Sequence, residues 1–234
     1  MARWRPDPHL PIEKLAVNLW RVEAKVDNPP LHRVMTVVKL ADGRGLIHSA
    51  VMMEESSMRA LEAWARPAIL VVPSGFHRKD AHAYVSRYPS ITVVCPSAAR
   101  DRVAEKVKVD ATYETFPLED PSIRFLSIPG LNEVERVMEV RSPDGVTLVF
   151  NDLLFNMPHV GGLGGFVIKH VLQNSGGPKV SRLGRLWLIK DKAAVRAELE
   201  KLASKPDLVR VIVSHHEMIT EQPADALRRV AASL

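Results

Sequence analysis

Three short, largely apolar runs constrain the fold of this chain more than any other feature of its sequence. They cover residues 68–72, 91–95 and 208–214, which are lengths typical of strands and too short for helices. A strand that is apolar at successive positions is covered on both faces, as happens when helices pack over a parallel sheet. Segments with helical spacing separate the first two runs from their neighbours. The sequence therefore predicts an α/β fold, with a largely parallel sheet in the first half.

Further strand and helix patterns surround the first two runs. Strands are predicted at residues 16–26 and 34–40, and a turn at 41–45 joins the second of them to a strand at 46–49. The predicted helices of the first half are 54–65, 79–88 and 97–106, the last with Ser97 as its N-cap.

The second half begins with consecutive strands rather than with an alternation. The predicted strands are 123–128, 134–141 and 146–151, the last two joined by the turn 142–145. The predicted helices are 166–172, 193–203 and 223–234. A short turn between two strands predicts an antiparallel hairpin, so this half opens differently from the first.

The bulk properties predict a single soluble, cytoplasmic domain. No repeat, linker or low-complexity tract interrupts residues 1–234, which we interpret as one domain. The N-terminus lacks the apolar stretch of a signal peptide, and no apolar run is long enough to span a membrane. Cys95 is the single cysteine, which suits a reducing compartment, and we expect it to be a small buried hydrophobic residue.

The net charge of +5 is concentrated between Lys169 and Lys205. A basic face of this kind can attract an anionic ligand or a nucleic acid. Aromatic residues are not interleaved with the basic residues as a stacking platform for bases requires. We therefore expect a solvated basic face and no nucleic-acid partner.

Residues that can do chemistry follow several of the predicted strands. The residues in question are His48-Ser49, the segment 73–80 (Pro-Ser-Gly-Phe-His-Arg-Lys-Asp), Pro129-Gly130-Leu131, Asn151-Asp152 and His215-His216. In this order they resemble the metallo-β-lactamase superfamily, over residues 15–214. The segments 31–37 and 151–156 carry a narrower likeness to a divergent branch known only as a domain of unknown function (DUF4336).

The resemblance implies a four-layer αββα sandwich of two mixed β-sheets, with metal ligands on loops at the strand ends. Members of the family use one or two zinc or iron ions to lower the pKa of a bound water and polarise the bond to be hydrolysed. Their ligands come from an H-x-H-x-D-H motif, a Pro-Gly-His motif, a bridging aspartate and a final histidine.

This chain departs from that ligand set. If Asp80 takes the aspartate position of the first motif, the histidine positions hold Phe76, Arg78 and Ala81. If strand length sets the alignment instead, they hold Ser74, Phe76 and Lys79. Leucine replaces the histidine of Pro-Gly-His, at Leu131. The resemblance thus implies a degenerate motif and no dinuclear centre.

The remaining candidates for the site are Asp152, His215, His77 and Asp80, of which Asp152, His215 and His77 are the candidate metal ligands. They would hold one zinc or iron ion, because a catalytic zinc needs three protein ligands. Several alternatives stay open. His77 and Asp80 also fit a polar pair at the surface before a helix, and Asp152 also fits a residue that fixes its loop. His216 competes with His215, and His82 lies near His77.

Other polar or glycine-rich features have structural explanations that we prefer. His32 and His48 fit partly buried, hydrogen-bonded histidines better than ligands. The glycine-rich segment 161–165 follows no strand and lacks the lysine of a phosphate-binding loop, so we interpret it as a flap.

Two functions fit these residues. The first is a hydrolase-like protein that acts on a small anionic or ester-type substrate with a remodelled single-ion site. The second is a binding or scaffold protein that keeps the fold without the chemistry. A nuclease ranks third, because it needs the intact metal centre more than the others do.

Overall fold

The computed structural model describes residues 4–26, 31–131, 133–159, 161–162, 166, 168–172, 175–182 and 184–234. The chain divides into two compact units, and the boundary lies between Arg124 and Phe125. Each unit has its own hydrophobic core. The prediction of a single domain over residues 1–234 stays a prediction.

The first unit is built on a seven-stranded sheet whose strand order follows the sequence order, β1 to β7. The strands are β1 (Glu13–Ala16), β2 (Leu19–Val26), β3 (Leu31–Lys39), β4 (Arg44–His48), β5 (Arg66–Val71), β6 (Thr92–Cys95) and β7 (Ala111–Thr112). Strands β1 to β4 pair antiparallel and β4 to β7 pair parallel. The sheet is therefore mixed, because short connections join the first four strands and longer, partly helical crossovers join the others.

The helices of the first unit lie in the connections between the parallel strands. They are α1 (Glu55–Trp64), α2 (Ala81–Arg87) and α3 (Arg100–Ala104). The buried Tyr84 of α2 packs in the core of this unit and donates its hydroxyl to the carbonyl of Val51 at 2.8 Å. A buried tyrosine needs such a partner for its hydroxyl.

The second unit contains a four-stranded sheet in the order β13–β10–β9–β8. The strands are β8 (Ile123–Ser127), β9 (Arg136–Ser142), β10 (Gly145–Phe150) and β13 (Leu208–Val213), and a separate small sheet pairs β11 (Phe155–Met157) with β12 (Gly177–Lys179). Strand β10 pairs antiparallel with β9 and parallel with β13. The residues that follow β10 and β13 therefore emerge at the same edge of the sheet.

Two helices complete the core of the second unit, α4 (Lys192–Ala203) and α5 (Pro223–Ala232). The side chain of Asp191 caps α4 by accepting the backbone N–H of Ala194 at 3.0 Å. Buried residues of α4 and α5 join residues of β10 and β13 in one apolar cluster. Helix α5 begins with Pro223, a residue well suited to a first helical turn.

The predicted fold class is confirmed, since the chain is an α/β protein with mixed β-sheets. Three local predictions were wrong. Ser97 does not cap a helix but begins a 3-10 turn, Ser97–Ala99, that leads into α3. Instead of an α-helix at 166–172, the described part of that segment contains the π-helical turn Ile168–Leu172. The sheet of the first unit is mixed rather than largely parallel.

Short strands were also missed, namely β1, β7, β11 and β12, because two to four residues are too few to show a period. Most of the predicted flap, residues 163–165, lies outside the described residues. None of the helices in the described part of the chain has the length and apolar character that a membrane span requires.

Candidate functional site

The structure brings two of the predicted site residues together in the second unit. Asp152 follows β10 and His215 follows β13, and the parallel register pairs Phe150 with Val213 at the ends of these strands. Asp152 Oδ1 lies 3.4 Å from His215 Nε2. A carboxylate and an imidazole side by side at a strand end can bind a cation or exchange a proton.

The imidazole of His215 is held in a fixed orientation. It stacks on the ring of Phe155, with 5.0 Å between ring centroids and 4° between the planes. The next residue, His216, has a left-handed backbone with φ of 65° and forms a bridge with Asn156. Of the two histidines that the sequence left open, His215 is therefore the one beside Asp152.

The carboxylate of Asp152 is oriented by a buried polar chain. The amide Nδ2 of Asn151 donates to Asp152 Oδ2 at 2.8 Å. Ser214 in turn donates its hydroxyl to Asn151 Oδ1 at 2.9 Å. Asn151 and Ser214 are both buried, so this chain ties the end of β10 to the end of β13 beneath the Asp152–His215 pair.

A second carboxylate, Glu135, lies directly behind the Asp152 loop. Its Oε1 accepts the backbone N–H of Asn151 at 2.7 Å, and its Oε2 accepts that of Leu153 at 2.8 Å. Burial, together with the charge of Asp152, raises the pKa of Glu135 to about 8, against the opposing effect of the backbone N–H groups. The sequence did not single out Glu135, because a charged residue at the start of a strand is usually solvated.

Leu131, which the resemblance sets at the histidine position of Pro-Gly-His, belongs to the hydrophobic core of the second unit and is fully buried. The loop before it is fixed by Gly130, whose carbonyl accepts the backbone N–H of Lys190 at 2.8 Å. Gly130 has φ of 91°, and a Cβ there would lie 2.5 Å from the carbonyl oxygen of Asp191. This position therefore supplies apolar packing rather than a ligand.

In the first unit, His77 lies in the segment that follows β5. Its Nδ1 lies 2.9 Å from the hydroxyl of Ser49, the residue that follows β4. Ser49 has a left-handed backbone with φ of 59°, which is uncommon for a non-glycine residue and often marks functional loops. That His77 is a metal ligand stays a prediction from the sequence.

Asp80 is 1% exposed, so it is not the surface residue that the structural alternative required. Arg33 donates to Asp80 Oδ2 at 2.7 Å, and the backbone N–H of Met52 donates to the same oxygen at 3.3 Å. Burial raises the pKa of this carboxyl, although the Arg33 guanidinium opposes the rise. Asp80 thus holds the start of α2 against β3 and the segment after β4, and its catalytic role stays a prediction.

The motif positions around His77 hold side chains with other partners. Phe76 is 72% exposed and lies under the guanidinium of Arg102 at 4.6 Å. Arg78 donates to Glu105 at 2.6 Å, and Lys79 donates to Asp7 at 2.6 Å. Ala81 is buried in the core. In both alignments of the H-x-H-x-D-H motif, therefore, the histidine positions hold side chains of types that do not bind metals well.

Three further histidines of the sequence analysis lie in the first unit, and His32 fits the structural explanation that was preferred for it. His32 pairs with the carboxylate of Glu23 on the neighbouring strand. His48 is buried within β4. His82 is exposed on α2.

Within the second unit, the donor set at Asp152 and His215 is chemically suited to zinc or iron. Both metals take carboxylate oxygen and imidazole nitrogen as ligands. The pair supplies two of the three protein ligands that a catalytic zinc generally has. Asn151, Phe155 and Glu135 already hold the two donors in place, which is the usual task of residues around a metal ligand.

Comparison with known structures identifies the fold. The chain is similar to the DIM-1 metallo-beta-lactamase, with a TM-score of 0.64, 12% sequence identity, and coverage of 97% of this chain and 98% of that one. It is also similar to a metallo-beta-lactamase from Erythrobacter litoralis, with a TM-score of 0.59, 14% identity, and coverage of 95% and 96%. No protein-family model and no curated protein matches the sequence. The chain therefore has the metallo-β-lactamase fold.

Proposed function

We propose that this chain is a hydrolase-like protein of the metallo-β-lactamase fold with a remodelled site for one zinc or iron ion. The observation that carries the proposal is the contact of Asp152 and His215, 3.4 Å apart at the ends of two paired parallel strands. The fold itself places ligands at such strand ends, and these two residue types are ligands of that family. The narrower kinship with the divergent branch of unknown function is part of the proposal.

In this proposal Asp152 and His215 hold the ion, and His77 is the sequence-based candidate for a third ligand. A bound ion would supply a water of lowered pKa and a Lewis acid for the bond to be cleaved. The chain's own contribution is orientation. Asn151 fixes one oxygen of Asp152, and the Phe155 ring fixes the plane of the His215 imidazole. The substrate class that we propose is small and anionic, in keeping with the chain's basic character.

The loss of a dinuclear centre is the second part of the proposal. It is supported by Leu131, which is buried in the core where the family has a histidine, and by Arg78, whose positive charge would repel a cation. These departures remove ligands that a second ion would need. One ion is the number that the remaining donors support.

Metal analysis of protein purified without chelator tests the proposal. We expect about one zinc or iron per chain in the wild type, and strong loss of metal in Asp152→Ala and in His215→Ala. His170→Ala is the matched control, since His170 is an exposed histidine elsewhere in the second unit. A wild type without metal, whose melting temperature also ignores added zinc, would contradict the proposal.

The same departures favour one alternative, a non-catalytic protein that binds a small molecule on the same fold. Leu131 and Phe76 are apolar side chains at motif positions where the family has ligands. A metal-free protein with an intact fold would support this alternative. A protein that retains metal but hydrolyses neither phosphate nor carboxylate esters would have the proposed metal site without the proposed hydrolase activity.

A further inference from the structure

We propose that Glu135 is the positioning residue of Asp152: its buried carboxylate binds the backbone on both sides of Asp152 and thereby sets the distance between Asp152 and His215. This inference rests on the proposed function and names a residue that the metal-ligand motifs do not contain. It concerns the residue behind the site and not a ligand.

The sheet register explains why Glu135 reaches this loop. Strand β9 pairs antiparallel with β10, with Met138 opposite Val149. Continued by three residues in each chain direction, the same register sets Glu135 opposite Asp152. Glu135 is thus the residue before β9 that faces the residues after β10, and its side chain replaces the ladder bonds that end with the two strands.

The contact of Glu135 with the loop is made through both oxygens. Oε1 accepts the N–H of Asn151 at 2.7 Å, and Oε2 accepts the N–H of Leu153 at 2.8 Å. Successive backbone N–H groups that converge on one carboxylate form an anion-binding nest. With both neighbours of Asp152 bound, the backbone of Asp152 is held in place, and so is the point from which its side chain reaches His215.

The burial of Glu135 makes its contact with the loop costly in free energy. Glu135 is 2% exposed, so its carboxylate is out of water and depends on the N–H groups for compensation. An apolar residue would be cheaper to bury if packing were the sole requirement. A metal ligand must be held to within about 0.5 Å of the position in which it binds the ion. Two hydrogen bonds from Glu135 to the loop restrict Asp152 in this way.

Glu135→Gln tests the inference, because glutamine keeps the volume and one acceptor but loses the other. The matched control is Glu139→Gln, since Glu139 is also buried and lies within β9, where its Oε2 forms an ion pair with Lys205 Nζ at 2.5 Å. We expect Glu135→Gln to speed hydrogen exchange at the Asn151 and Leu153 amides at least tenfold. We also expect it to weaken zinc binding by about 10- to 100-fold, as removal of a partner of a metal ligand does.

A purely structural role predicts a different pattern. In that case Glu135→Gln and Glu139→Gln would lower the melting temperature alike and leave the zinc dissociation constant unchanged, which would overturn the inference. Glu135→Ala extends the test to a graded series. It removes both acceptors, so it should weaken zinc binding more than Glu135→Gln does.

The readouts also separate this inference from the proposed function. If the wild type binds no zinc, the proposed function fails, and the inference is then judged on the apoprotein. There, Glu135→Gln should shift the ring nitrogen resonances of His215, whereas Glu139→Gln should not. Unchanged His215 resonances together with unchanged amide exchange would refute the positioning role.

Discussion

Asp152 and His215 are 63 residues apart in the chain, yet their side chains lie 3.4 Å from each other. Parallel pairing of β10 with β13 is the cause, because it aligns the last residues of the two strands at one edge of the sheet. The contact is then maintained by residues that bind no metal themselves. Several consequences of this arrangement and of its surroundings can be measured.

Asn151→Ala should weaken metal binding although Asn151 is not a ligand. The substitution removes the amide that donates to Asp152 Oδ2 and leaves the Ser214 hydroxyl without its acceptor on Asn151. We expect a loss of zinc affinity of about 10- to 100-fold, measured by calorimetric titration. An affinity equal to that of the wild type would show that the Asp152 carboxylate needs no such support.

Leu131→His should destabilise the protein rather than restore a metal ligand. Leu131 is fully buried in the apolar core of the second unit, so the imidazole would have no polar partner there. We expect a loss of about 3 kcal/mol in the free energy of unfolding, measured by urea denaturation. Leu131→Met is the control and should cost less than about 1.5 kcal/mol. A variant of wild-type stability that gains a second zinc would contradict this expectation.

Gly130→Ala should cost more than a left-handed backbone alone explains. Gly130 has φ of 91°, and its new Cβ would lie 2.5 Å from the carbonyl oxygen of Asp191. We expect a loss of about 3 kcal/mol in unfolding free energy from strain and overlap together. Gly43→Ala is the matched control, since Gly43 has φ of 81° with no atom within 4 Å of the added Cβ. Equal losses of unfolding free energy in the two variants would mean that the loop shifts to relieve the overlap between the new Cβ and the Asp191 carbonyl oxygen.

Asp80→Ala should destabilise the folded protein, because it leaves the guanidinium of Arg33 without the carboxylate that it binds at 2.7 Å. Loss of one partner of a buried pair costs about 3–5 kcal/mol, to be measured by chemical denaturation. Asp225→Ala, at the exposed pair with Arg228, is the control and should change stability by less than about 1 kcal/mol. If Asp80→Ala is as stable as the control, the ion pair contributes little.

Glu135 should make stability depend on pH in a defined direction. Folding raises its pKa from 4.5 to about 8, so the folded state holds this proton more tightly than the unfolded chain does. Its contribution is therefore fully present below about pH 4.5 and is lost as the pH rises toward about 8, with a slope of up to about 1.4 kcal/mol per pH unit. Urea denaturation from pH 5 to 8 should show this slope in the wild type but not in Glu135→Gln. Equal slopes in both would assign the pH dependence to other groups.

The sequence predicted much of the fold from local patterns. The buried runs that became β5, β6 and β13 were visible because three or more successive apolar residues need no tertiary information to be recognised. Helices α1, α4 and α5 were predicted to within two residues at each end. The π-helical turn at Ile168–Leu172 was missed, because its sequence has the same spacing as an ordinary helix.

Some residues of the candidate site could be named from the sequence and others could not. Asp152 and His215 could be chosen from the sequence through the family resemblance, since they follow apolar runs at the places where that family has its bridging aspartate and its last histidine. Glu135 could not, because its importance depends on the register of β9 against β10 and on its burial. The sequence also left Asp80 between a surface and a pocket position, whereas the structure pairs it with Arg33 across 47 residues of the chain.

What the sequence determined by itself was most of the longer strands and helices and the kinds of side chain available at the strand ends, since both follow from the order of residues along a short stretch. Tertiary structure decided which of those ends lie side by side, which carboxylates leave water, and that Leu131 packs in the core. These outcomes depend on strand pairing and desolvation between residues far apart in the chain, and neither quantity exists until the sheet has formed.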